Sequence, residues 1–464
     1  MINKKLLTVS ICAVLLTAMT AFHVYCDSSV ASAAELSSGT ETYVSREVGD
    51  TDDASETSET EDTAESKTFS TAADTTANIT AGKSALDTGD LFSDRDLEQT
   101  ADLTGAEKVT VSDGQTYTIS KEGVYVITGT ASNAQIIVSA GDEDKVQLVL
   151  DKVSITNEST PCIYVKNADK VFVTTTDSEN TLTVTGTFTA DGDTNTDAVI
   201  FSRDDVVING KGTLNIVSTD NGISSKDDIK ITGSTLNISC TADALEANKA
   251  ILIADGTITI KSDKDGLHAE NDEDNTVGSV YIAGGTITIE AGDDAIHATT
   301  IAQLDGGTIS LTAGEGIEGT YIQLNGGEIT ISASDDGINA GQKSNITTPT
   351  VEINGGTVKI TMGSGDTDGV DSNGNLILNG GTLDITAQSP FDYDGTAQNN
   401  GATLIVNGTE TDTITNQMMG GRGGMGGGDM GGQNGMPDGM GGDMGGQNGM
   451  GGHKGGHGGM YGGF

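Results

Sequence analysis

Tryptophan is absent from this sequence, aromatic residues make up 4% of it, and basic residues are scarce, 23 Lys and Arg against 68 Asp and Glu. The resulting formal net charge of −45 in 464 residues repels nucleic acid and anionic lipid. An anionic partner therefore needs a cation between itself and the protein. Cysteine is also scarce. Cys12 and Cys26 fall in or near the N-terminal apolar segment, which leaves Cys162 and Cys240. If the chain stacks as argued below, those two lie several layers apart at about 4.8 Å per layer. A disulfide needs Cα atoms within about 7 Å, so two free, buried thiols are expected and no disulfide scaffold. Beyond the first residues no apolar run is long enough to span a membrane.

The apolar run from Leu6 to about Val24 follows Lys4 and Lys5 and precedes Ala31-Ser32-Ala33, which fits a signal peptide over 1–33. A lipoprotein modified at Cys26 and a retained anchor are the alternatives; export is common to all three. Residues 34–100 are rich in Ser, Thr, Glu and Asp. They read as a disordered spacer that cannot bury enough surface to offset its chain entropy. Residues 418–464 read as a disordered Gly/Met tail, with nine of the twelve methionines and with His453 and His457. A flexible tail is the default there, and soft-metal binding the alternative.

Between these segments, over 101–417, Gly, Thr, Ile and Val dominate, and no stretch shows a helical period. Early strands are expected at Tyr117–Ile119, Val124–Thr128, Gln135–Val138, Val146–Leu150 and Val171–Thr174. A marker then repeats: Thr213, Thr235, Thr257, Thr286, Thr308, Thr357 and Thr382, with Glu328 in its place once. The steps are 22, 22, 29, 22, 20, 29 and 25 residues. A period near 22 with three short alternating pieces per repeat predicts an all-β fold, a right-handed parallel β-helix in which stacked coils bury what no coil buries alone.

The third piece of each repeat aligns as Asn221-Gly222-Ile223-Ser224, Asp243-Ala244-Leu245-Glu246, Asp265-Gly266-Leu267-His268, Asp294-Ala295-Ile296-His297, Glu315-Gly316-Ile317-Glu318, Asp336-Gly337-Ile338-Asn339 and Asp368-Gly369-Val370-Asp371. The aliphatic position must face the core. Its polar neighbours then form columns of carboxylates about 4.8 Å apart, which repel unless a cation intervenes. Ca²⁺, with six to eight oxygen ligands at about 2.3–2.6 Å, fits such a column. The expected ligands are Asp243, Glu246, Asp265, Asp294, Glu315, Glu318, Asp336, Asp366, Asp368 and Asp371, together with Asp191, Asp193 and Asn195 in a loop of alternating oxygen donors. The alternative is that these Asp residues only shape turns by accepting backbone N–H bonds. His268 and His297 read as surface residues, with nothing beside them that suggests zinc.

Catalysis finds weaker support. A lyase acting on polygalacturonate needs a base beside its Ca²⁺. Arg203 lies outside the ladder, and Lys226, Lys230, Lys249, Lys261 and Lys264 are of unassigned geometry. A hydrolase would need paired carboxylates, but the neighbours Asp293-Asp294 and Asp335-Asp336 point to opposite faces of a strand.

The segment SKEGVYVITGTASNAQIIVSAGDEDKVQLVLDKVSITNESTPCIYVKNADKVFV (120–173), followed by the Gly-Gly-Thr repeats, resembles the clostridial carbohydrate-binding β-helix family over about 105–415. The resemblance implies a secreted, non-catalytic domain with a polysaccharide-lyase-like fold that binds Ca²⁺, cellulose and polygalacturonate. It fixes no individual ligand. Cellulose recognition usually employs planar aromatics, for which Tyr281, Tyr321 and Tyr393 are the candidates, the first two being equally suited to the core or the ladder. The expected protein is a secreted or surface-attached monomer that binds acidic, pectin-like glycan through Ca²⁺, with cellulose as a further expected ligand. A Ca²⁺-dependent pectate lyase and a structural adhesin rod are the alternatives.

Overall fold

Alternating β-branched and polar residues can settle one face of a strand against a core, and here they do so in every coil. The structure, a computed structural model, describes residues 82–416 apart from Asp366. The expected signal peptide, the linker as far as residue 81, the tail over 418–464 and Asp366 lie outside the described residues. Within them are 34 strands and no helix. The strands pair in parallel, except in a terminal hairpin of Thr403–Val406 with Thr409–Thr411 and an isolated bridge between Asp191 and Thr194.

Each coil contributes one strand to each of three parallel sheets. One coil runs from Thr286–Glu290 through Asp294–Leu304, an unbroken strand whose two halves belong to different sheets. The first sheet stacks segments such as Asp205–Gly210, Asp228–Ile231, Ala250–Ile253 and Ser279–Ile282. The second stacks the Thr-marked strands. The third stacks the pieces carrying the acidic columns.

The interior is built of like residues in register. Leu214, Leu236, Ile258, Ile287, Ile309, Ile329, Val358, Leu383 and Leu404 form one continuous buried column of the second sheet. Alternate residues such as Thr257 and Thr259 face water. The aliphatic positions of the third sheet, from Ile223 through Val370, are fully buried as expected. Cys162 and Cys240 are free and buried, also as expected.

Corners stack as regularly as strands. The side-chain amides of Asn400, Asn379, Asn354 and Asn325 donate in turn to the next, at 2.8, 2.7 and 2.7 Å, and the last donates to Asp305 at 2.7 Å. A side-chain amide both donates and accepts, so the ladder continues without an orphaned group. The glycine two residues after Asn325, Asn354 and Asn379 turns the chain at positive φ. At Gly327 φ is +87°, and a Cβ there would lie 2.8 Å from the carbonyl oxygen of Gly307 in the preceding coil.

The linker expected to run to residue 100 ends earlier. Residues 82–99 lie as a strap along the outer face of the first sheet. Ala85, Leu86 and Leu91 are buried against Leu252, Tyr281, Ile301 and Tyr321. Gln323 and Gln303 accept from the backbone N–H groups of Ala85 and Leu86 at 2.9 and 2.8 Å, and Lys230 Nζ donates to the Leu91 carbonyl at 2.9 Å. Asp96 is fully buried beside Lys170 at 3.2 Å, and the Arg95 guanidinium sits 4.5 Å from the centre of the Phe172 ring. An acidic, Ser-rich composition hid three apolar residues that pack on a complementary apolar patch of the sheet.

Two substitutions test this architecture. Gly327→Ala places a side chain at positive φ against backbone, and is expected to cost about 1–3 kcal/mol. Leu91→Ala removes buried strap surface and is expected to cost about 2–5 kcal/mol within the same unfolding transition. Thermal and urea unfolding followed by circular dichroism measures both; an unchanged midpoint for Leu91→Ala would mean that the strap is not part of the fold.

Candidate functional site

The third sheet places two polar columns side by side on its outer face. One carries Asn221, Asp243, Asp265, Asp294, Glu315, Asp336 and Asp368 at its coil starts. The other is fixed by strand register as Ser224, Glu246, His268, His297, Glu318, Asn339, Asp371 and Asp392.

The first column has a structural duty. Four of its side-chain oxygens cap the backbone N–H of the counterpart one coil on: Asn221 takes Asp243, Asp243 takes Asp265 and Asp265 takes Asp294, each at 2.9 Å, and Asp336 takes Asp368 at 3.0 Å. The caps run between coils, rather than within a turn. Asp265 caps with one oxygen and meets His268 with the other, and Asn221 caps with its oxygen and donates its Nδ2 to Glu246.

In the middle of the ladder, cationic side chains meet the carboxylates. His297 Nδ1 lies 2.7 Å from Glu318 and 3.1 Å from Asp294, and Lys343 Nζ lies 2.6 Å from Glu318. Burial alone would pull the His297 pKa down, but the bonds to Asp294 and Glu318 outweigh it and push it up to about 10. Glu318 has the shorter bond to His297 and also holds Lys343, so burial is overcome and its carboxyl sits well below the usual range. Asp294 lacks that second cation, and burial pushes it up. Burial together with Glu318 and Asp294 raises Glu315 to about 8.

Beyond Asn339 the environment changes. Burial, then Asp336, Asp392 and Asp368, raise Asp371 to about 7. Burial raises Asp336 to about 6 against the cap it gives Asp368, with Asp368, Asp335 and Asp392 adding to the rise. The charges acting on these two groups are other carboxylates.

The remaining expected ligands fall elsewhere. Glu246 accepts from Asn221 Nδ2 at 2.7 Å and lies 3.8 Å from Lys226. Asp191 is not assembled with Asp193 and Asn195 into a cation loop. Its carboxylate takes Lys166 at 2.6 Å and Tyr164 at 3.1 Å, while Asn195 donates to Asp197. Tyr281 and Tyr321 do not offer aromatic faces to a glycan. Both are buried under the strap, their hydroxyls donating to Asp305 at 2.9 Å and Glu352 at 2.7 Å. Tyr393 is half-buried, packed against the edge of the core.

Three features escaped the sequence reading. His268 and His297 are register neighbours with rings stacked at 4.7 Å and 7°, and His297 is buried. The repeat alignment already placed them at equivalent positions, but each was weighed as a lone residue. Asp392 extends the second column although its coil, Ser389-Pro390-Phe391-Asp392, has lost the acidic-Gly-aliphatic motif. Asp205, Asp227 and Asp228 cluster on the first sheet, but Lys170, Lys230 and Lys249 balance them at 3.6, 3.9 and 2.8 Å.

The raised carboxylates and the raised His297 set a pH dependence. The folded chain binds more protons than the unfolded chain between the ordinary carboxylate range and about pH 8, so stability falls as pH rises through that window. His297 acts in the same direction above its unfolded value. In chelator, the thermal midpoint is expected to decline from pH 5 to pH 8. Asp371→Asn should raise the midpoint at pH 8 and flatten the decline; an increase in midpoint with pH would contradict the assignment.

Comparison with known proteins gives the ladder a family context. The profile of the carbohydrate-binding domain-containing protein family matches residues 113–348 and 314–420. A carbohydrate-binding domain-containing protein of Acetivibrio thermocellus is 39% identical over 122 residues, which are 25% of this chain and 43% of that relative's length. A solved structure of a polysaccharide lyase-like protein from C. thermocellum, a gadolinium derivative, shares 25% identity and covers 64% of this chain and 96% of its own, with a TM-score of 0.30. The family match spans both polar columns and every strand but the first, Glu107–Thr110, and by it the chain belongs to the carbohydrate-binding domain-containing protein family.

Proposed function

We propose that the protein is a non-catalytic, extracellular polysaccharide-binding protein. It holds an acidic, pectin-like glycan through Ca²⁺ bound along the C-terminal part of the third sheet. The observation that carries this reading is the C-terminal end of the ladder, where burial raises the pKa values of Asp336 and Asp371 and the carboxylates around these two add to the rise. A divalent ion relieves that repulsion, and its unfilled oxygen positions accept a uronate carboxylate. Family membership supplies the carbohydrate; the charge selects an acidic one.

Cellulose is the weaker ligand on physical grounds. The aromatic side chains among the described residues are buried or half-buried, which leaves little planar surface for a neutral sugar face. Lyase chemistry finds little support in the bases near the ladder. Burial would lower Lys343, but the Glu318 bond and charge outweigh it and hold the ammonium above its usual range, the opposite of a proton acceptor. Secretion follows from the N-terminal signal pattern and suits a ligand found outside the cell.

The test incubates the full chain with insoluble polygalacturonate and Ca²⁺, with and without chelator, and reads bound protein and unsaturated product together. Chelator-sensitive binding without product is expected, and Asp371→Asn should weaken it at least about tenfold, the loss of one charged ligand. Product formation would make the protein a lyase. Absence of binding would favour a structural rod.

A further inference from the structure

The geometry points to a second metal centre, made by His268, Glu270 and His297, that takes a divalent transition-metal ion of the zinc type. It does not rest on the glycan reading, and its ligand chemistry differs from that of an oxygen-only calcium column. His268 Nε2 lies 3.1 Å from Glu270 Oε2, and His297 Nε2 lies 3.7 Å from the same oxygen. All three ligand atoms lie within 4.8 Å of one another. A tetrahedral zinc ion with ligands at about 2.0–2.1 Å sets its ligand atoms about 3.3 Å apart, between the two measured separations. The stacked rings need a modest splay about χ2 to bring both nitrogens onto one ion.

The orphaned atom makes this more than a cluster. His297 is 7% exposed, and its Nε2 is buried without a hydrogen-bond partner. It faces Glu270 at a distance too long for a hydrogen bond. A buried nitrogen in that state carries a desolvation cost that a metal bond removes. The other nitrogens are already arranged for ligation. His268 Nδ1 is bonded to Asp265, and His297 Nδ1 to Asp294 and Glu318. A carboxylate only accepts, so each Nδ1 carries the proton and each Nε2 is directed to the shared pocket. Carboxylates behind metal-bound imidazoles fix the tautomer and raise ligand basicity in this manner.

A competing role is charge neutralisation, with two imidazolium ions offsetting the acidic columns. That role accounts for Nδ1 of each ring. It leaves Nε2 of His297 unpaired and sets two like charges face to face at 4.7 Å. One ion between the rings supplies the positive charge and satisfies Nε2 together. Imidazole with carboxylate suits Zn²⁺ and its first-row neighbours, whereas Ca²⁺ takes oxygen alone. Glu270 is partly exposed and His268 less so, which leaves a path for the ion and an open position for water.

Zinc binding to the full chain, in excess Ca²⁺, provides the test. Equilibrium dialysis counts bound Zn²⁺, and Co²⁺ serves as a visible-spectrum reporter of coordination. The wild type is expected to hold one equivalent more than His268→Gln and to show a ligand-field band that His268→Gln and Glu270→Gln lose. Asp265→Asn, which alters the acceptor behind His268 while an amide oxygen can still cap the Asp294 N–H, should weaken binding by about 10–100-fold. His453 and His457 are present in every variant, so metal held by the tail cancels in the comparison. Glu270 is on the surface, and its variant keeps the test valid if a histidine variant fails to fold by circular dichroism. Equal stoichiometry and affinity in wild type, His268→Gln and Glu270→Gln would overturn the proposal, as would displacement of the bound Zn²⁺ by excess Ca²⁺.

Discussion

Parallel in-register stacking places like beside like. At roughly 4.8 Å per coil, interior aliphatic residues rest on one another, corner Asn residues bond to one another, and carboxylates of the acidic column stand beside one another. For apolar and amide side chains this repetition is favourable: the Leu214-to-Leu404 column is continuous and dry, and the Asn400-to-Asp305 ladder satisfies itself. For carboxylates the same geometry is unfavourable. The acidic columns are therefore where the fold must import compensation, and where partners of opposite charge have most to offer.

The compensation differs along the columns. At the N-terminal end, Asn221 and Lys226 meet Glu246. In the middle, two histidines and Lys343 stand among Asp265, Asp294 and Glu318. At the C-terminal end, buried Asp336 and Asp371 have further carboxylates as their charged neighbours. One repeated scaffold thus offers sites of graded character, from internally neutralised, through mixed nitrogen and oxygen, to oxygen alone. This gradient underlies the separate proposals for a transition-metal ion in the middle and Ca²⁺ with acidic glycan at the end.

Much of this was legible in the sequence because the repeat is a register. Aligning Ile223, Leu245, Leu267, Ile296, Ile317, Ile338 and Val370 gives the buried position of the third sheet and both polar columns at once. The strap was not legible. Its three apolar residues sit in an acidic stretch without period, and what holds them is a complementary face that no local pattern announces. Sequence left Tyr281 and Tyr321 open to glycan, core or ladder for the same reason: their burial comes from residues nearly two hundred or more positions away. The histidine pair was legible in principle, since residues equivalent in the repeat are neighbours in space. Asp392 was not, because Pro390-Phe391 breaks the motif while the strand register continues.

The most direct measurement of the central claim is the effect of Ca²⁺ on thermal unfolding of the full chain at pH 8, with Na⁺ at matched ionic strength as the control. The account predicts a saturable rise in midpoint that tracks the Ca²⁺ concentration, since an ion bound only by the folded columns stabilises them by mass action. A midpoint that responds to Ca²⁺ no more than to Na⁺ would contradict it, and would leave the acidic columns as a ladder of backbone caps.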